Sequence, residues 1–161
     1  MEQAGNEENK WHVLNLRYVR AISAATPLEN AGIRTFVPPV VTNLLFADAP
    51  ESVLREFIFR NAIGEKLSFM HSRETGRPIV VRDADMDLFM RVCAALEAPI
   101  VMAERPVLKL GDHVRIKEGP LKGVEGNVVR IKKNKRVLIN IGNVIWVATG
   151  YMRPEQLELI V

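Results

Sequence analysis

The residues best able to do chemistry here are Asp83, Asp85 and Asp87 at alternate positions, three histidines, one cysteine and a run of cations. Alternating aspartates open calcium loops, which also need glycine at the sixth place and a bidentate glutamate at the twelfth. Counted from Asp83, those places hold Leu88 and Ala94, so the aspartates read as the acidic start of a helix, favoured there by its dipole. His12, His71 and His113 fall in separate segments with no cysteine or acid at ligand spacing. Cys93 has no second thiol for a disulfide, zinc or redox pair and reads as a buried thiol. No glycine-lysine phosphate loop and no nucleophile motif occurs. The expectation is a protein that is not an enzyme and uses no metal or cofactor. Binding remains. Arg130-Ile131-Lys132-Lys133-Asn134-Lys135-Arg136 gathers five cations that can meet nucleic-acid phosphates, with Lys132, Lys133 and Lys135 foremost. The competing reading is a solvated edge strand whose lysines prevent pairing between molecules, since no aromatic residue interleaves to stack bases.

Charge divides the chain. Residues 1–105 hold 12 Lys and Arg against 14 Asp and Glu, whereas residues 106–161 hold 10 against 5, so the net of +3 combines −2 with +5. Pro99 and Pro106 mark a connector at the same place. A chain of 161 residues has room for two modest domains. The expected organisation is a disordered polar tail over 1–10, a first domain over 11–97, a linker over 98–107 and a second domain over 108–161. No apolar run approaches the roughly 18 residues of a membrane span. The opening Met1–Lys10 has three glutamates and no apolar stretch, which predicts a cytoplasmic protein.

The elements that must position these residues follow from periodicity. Trp11–Leu16 alternates as a strand, and an alanine-rich helix is expected from Val19 to about Asn30. Within it Thr26, Pro27 and Glu29 have the spacing of a capping box with proline first, predicting a break and restart. Strands at Ile33–Val37 and Asn43–Ala47 precede a helix after Pro50 with an apolar stripe of Val53, Leu54, Phe57 and Ile58. A hairpin of Leu67–His71 and Pro78–Val81 leads to a helix over Asp85–Glu97, with Met86, Phe89, Cys93 and Leu96 on one face. This order predicts an α+β layer of helices on an antiparallel sheet. From Lys109 onward short strands alternate with glycine turns, the pattern of a small β-barrel: Gly111–Val128 with its turn, Val137–Ile141, Val144–Ala148, and Leu157–Val161 to close it. β-Branched Val114, Ile116, Val137, Ile139 and Ile141 oppose helix in this stretch, which predicts a free β-barrel.

Gly111, Val114, Gly119, Pro120, Gly123 and Gly126 stand in the spacing G-x-x-V-x-I-x-x-G-P-L-x-G-x-x-G-x-V, which resembles the KOW motif of NusG-type elongation factors. Trp11-His12-Val13, Phe36-Val37-Pro38 and Asn43-Leu44-Leu45-Phe46-Ala47 are similar to the amino-terminal domain of those factors. Gly76–Asp83 with Met86 and Phe89 resembles the operon-restricted UpxY and RfaH type. The chain departs from the pattern in the four residues Pro39–Thr42, where relatives carry a longer basic strand, and in Leu44, where they carry an aromatic. The resemblance implies a monomeric transcription elongation and antitermination regulator: a NusG amino-terminal-like domain followed by an SH3-like KOW β-barrel. Its first domain would bind RNA polymerase through Tyr18, Leu44 and Phe46, with core packing the competing reading for Phe46. Arg17, Arg20 and His71 would face the non-template DNA. The barrel would engage a small-subunit ribosomal protein or Rho through Leu121, Ile141, Gly142 and Asn143, with barrel plugging the competing reading for Leu121 and wall packing expected for Trp146. A ribosome-associated KOW module is the alternative, opposed by the acidic first half.

Overall fold

A computed structural model describes residues 7–17, 20–39, 43–60, 66–96, 99–102 and 105–160. The chain forms two compact units, Met1–Met86 and Asp87–Val161. Among the described residues no helix is long and apolar enough to cross a membrane.

In the first unit, β1 (Lys10–Leu16) lies between β3 (Leu44–Ala49) and β4 (Leu67–Phe69), with β2 (Arg34–Phe36) outside β3 and β5 (Val80–Val81) also on β1. All pairings are antiparallel, with Val13 opposite Phe46 and Leu14 opposite Phe69. Trp11, His12, Val13 and Leu14 are consecutively buried, so both faces of β1 are covered. Leu14, Leu45, Ala47 and Ala49 form one core with Ala24, Ala25 and Leu28 of helix α1 (Ala21–Asn30) and Leu54 of helix α2 (Glu51–Arg60).

The helix α1 is continuous, contrary to the predicted break at Pro27. An interior proline costs about 3 kcal/mol. Burying Leu28, about 2 kcal/mol, and three alanine methyls at about 0.8 each on the sheet offsets that cost. The stripe on α2 is narrower than predicted: Leu54 is buried and Phe57 and Ile58 pack at its flank, but Val53 is exposed. The predicted hairpin forms, closed by the bridge between His71 and Pro78.

The second unit carries most of helix α3 (Asp83–Ala95) and a six-stranded antiparallel sheet. Its order is β11 (Leu157–Leu159), β7 (His113–Ile116), β8 (Glu125–Ile131), β9 (Asn134–Ile141), β10 (Ile145–Ala148) and β6 (Ile100–Met102). The strand β11 pairs with β7 and not with β10, so the hydrogen-bonded path stays open where closure was expected. The sixth strand was not foreseen. It lies in the segment expected as a linker, where Ile100-Val101-Met102 pairs with Ala148-Val147-Trp146. The chain folds this way because strands β9 and β10 are apolar on both faces. Val137, Ile139, Ile141, Ile145 and Val147 alternate along one face. Leu138, Trp146 and Ala148 point to the other, where Ile100, Met102, Leu108 and Ile131 cover them together with Val129.

Candidate interaction surfaces

The expected polymerase patch does not form a surface. Leu44 and Phe46 are 5% and 0% exposed, on one face of β3 opposite Asn15 and Val13, with the Phe46 ring 6.4 Å from that of Phe36. A strand between two partners with both faces covered buries large apolar side chains whichever way they point. Tyr18 lies outside the described residues. Among the described residues, the large apolar side chains the first unit exposes are Phe59 at 89% and Ile22 at 69%, with Val53 and Val80 less so. Sequence reasoning passed over Phe59 although it stands off the α2 stripe, a signal that was present.

Arg17, Arg20 and His71 are exposed but do not converge. Arg17 sits at the end of β1, its amide donating to the carbonyl of Lys66, and Arg20 stands at the N-cap position of α1 with no side-chain capping bond. His71 follows β4 and bridges to Pro78, while Val80 is the residue opposite His12. On the opposite strand face from Trp11, His12 is buried, donates from Nδ1 to the Lys10 carbonyl at 2.9 Å and meets the Phe69 ring edge-on. Burial lowers its pKa, partly opposed by that hydrogen bond. It borders a cleft of about 690 Å³ with Lys10, Glu51 and Arg55, the last two joined at 2.7 Å. Among the described residues no three His, Cys, Asp or Glu side chains converge as metal ligands. Cys93 is buried, and desolvation pushes its thiol up to about 12.

In the barrel sheet, the turn Gly119–Gly123 leads from β7 to β8, with φ of +87° and +92° at those two glycines. The Gly123 amide returns to the carbonyl of Ile116 at 2.8 Å. Gly126, within β8, is fixed by space: a Cβ there would lie 2.5 Å from the Leu138 carbonyl oxygen. Residues 110–140 match the KOW motif. The whole chain superposes on a structure of Thermotoga maritima NusG solved to study domain interaction in that protein. The match has a TM-score of 0.55 and 16% identity, and covers 96% of this chain and 98% of that one. The fold is that of NusG. No curated protein matches the chain in sequence.

Of the residues expected to grip a partner on this NusG-like barrel, Leu121 and Ile141 are buried, at 5% and 0% exposed. Gly142 and Asn143 are exposed, in the three-residue loop 142–144, with φ of 64° and 59°. Asn140 braces that turn, accepting from the Asn143 amide at 2.9 Å and donating to the Asn143 side chain at 2.8 Å. Trp146 is 8% exposed under the connector strand.

The basic run forms the tip of the β8–β9 hairpin. Ile131 pairs with Asn134 and Arg130 with Lys135, leaving Lys132 and Lys133 as the turn, with φ of 51° and 71°. Left-handed conformations cost a residue with a Cβ on the order of 1 kcal/mol each. Arg136 is turned inward, donating from Nη1 to the Thr149 carbonyl at 2.9 Å.

Proposed function

We propose that this chain is a NusG-type transcription elongation and antitermination factor, whose first domain (11–97) binds RNA polymerase and whose KOW domain (108–161), joined through 98–107, recruits or competes for a partner. One observation carries the reading: a KOW motif on a small antiparallel sheet follows an α/β unit, in a chain that shares the NusG fold over nearly its whole length. The resemblance of Gly76–Asp83 to the UpxY and RfaH type favours a factor restricted to particular operons. Such a factor works in the cytoplasm as a monomer, by holding the elongating enzyme in a state less prone to pause.

With Leu44 and Phe46 interior, docking on the polymerase falls to the exposed Phe59 and Ile22 of the first domain; Tyr18 keeps the role the family resemblance implies. A ring exposed at 89% gains by burial against a helical partner at roughly 25 cal/mol per Å². On the barrel, Gly142 and Asn143 remain open to a ribosomal protein or Rho. The test is sedimentation of the full-length chain with core RNA polymerase and, separately, with small ribosomal subunits. Comigration with polymerase, weakened about tenfold or more by Phe59→Ser with Ile22→Ser, is expected. Comigration with ribosomal subunits and not polymerase would replace this reading with that of a ribosome-associated module.

A further inference from the structure

We propose that the β8–β9 hairpin tip is a binding site for double-helical nucleic acid, which it grips through phosphates with Arg130, Lys132, Lys133 and Lys135. Three features of the tip work against stability and so call for a function. Arg130 and Lys135 are directly opposite each other in the ladder, where like charges repel. Lys132 and Lys133 both hold positive φ in a two-residue turn, the conformation for which Asn-Gly is the favoured pair. Among the described residues, none of these four cations has an ion pair or a side-chain hydrogen bond.

The same sheet shows, in the loop 142–144, residue types better suited to positive φ. Between β9 and β10 it uses Gly142-Asn143, braced by Asn140. Placing two lysines at the positive-φ positions of the neighbouring hairpin sacrifices conformational ease for charge. Guarding a sheet edge does not explain them. Lys132 and Lys133 lie in the turn, outside the ladder.

The shape indicates the ligand. Backbone bonding of the segment before β7 reaches Val128, and that of the segment after β10 reaches Val137. The ladder pairs Arg130 with Lys135 and Ile131 with Asn134 lie beyond those bonds, a short two-stranded ribbon whose Ile131 packs back on the outer apolar face. A ribbon of this kind fits between the phosphate rows of a duplex groove. With no aromatic residue from 130 to 136 to hold unstacked bases, a duplex suits the tip better than a single strand. Contact through phosphates alone is independent of sequence and sensitive to salt.

The test uses the full-length chain and a fluorescent 20-base-pair duplex, with no polymerase present, so that its failure is separate from failure of the polymerase reading. Four phosphate contacts predict a fall in affinity of about 150-fold between 50 and 200 mM salt. Replacing the turn by Lys132→Asn with Lys133→Gly leaves two contacts and reduces that fall to about tenfold, with weaker binding at 50 mM. The same variant is expected to melt at a higher temperature, because its turn is relieved of strain. Loss of binding alongside a gain in stability is an outcome that a structural role for the lysines would not produce. Arg130→Gln with Lys135→Gln should weaken duplex binding likewise, with the fold retained by circular dichroism. The proposal is overturned by unchanged duplex affinity in both variants, by absence of duplex binding at 50 mM salt, or by tighter binding to the single strand of the same sequence.

Discussion

Gly126 and His12 show how single positions are constrained by what stands opposite them. At Gly126 the limit is the Leu138 carbonyl oxygen across the ladder, backbone that cannot swing aside as a flexible side chain would. Gly126→Ala should therefore destabilise the barrel by about 3 kcal/mol, read as a lower urea midpoint with an unchanged slope. At His12 the limit is desolvation, which holds its pKa in the folded chain below 6.5. Above that value both folded and unfolded chains carry the neutral ring, and stability does not change with pH. As pH falls below it the unfolded chain takes up the proton first, so stability is lost toward the lower folded pKa. Stability measured by denaturation should be lower at pH 5.5 than at pH 7.5, and His12→Gln should flatten that difference.

Among the elements, β6 alters the picture of the connector most. Ile100 and Met102 are half-buried on an outer apolar face formed by Val129, Leu138, Trp146 and Ala148, so the barrel sheet depends on residues that precede the KOW motif. Ile100→Ser with Met102→Ser in the full chain should cost about 2 kcal/mol, since each side chain loses part of its transfer energy. A complementary measurement is tryptophan emission, because Trp146 is the only tryptophan after residue 87. A fragment beginning at residue 107 should emit further to the red than one beginning at residue 96, where β6 still shields the ring. Equal emission from the two fragments would show that the strand contributes no cover.

For the molecule as a whole, the charge division was plain in composition, with an acidic first half and a basic second half. The α+β reading of the first half and the glycine-punctuated strands of the second were legible for the same reason. Hydrophobic period, turn residues and KOW spacing are local properties, and local properties survive into the folded state when tertiary contacts agree with them. That agreement also explains why α1 was foreseen but its break was not: the proline signal is local, and burial of Leu28 against the sheet overrides it. The surfaces were much less legible. Leu44, Phe46, Leu121 and Ile141 carry the side chains an interface would use, yet the same side chains fill cores, and only the neighbours brought by pairing decide between the two. Phe59 and Ile22 are apolar in sequence and exposed in space, because the helix faces they occupy turn away from the sheet. Likewise, the sequence alone put five cations at a hairpin. The tertiary structure tied Arg136 to Thr149, faced Arg130 with Lys135 and held two lysines at positive φ, because strand register and backbone conformation are settled only once both strands are paired.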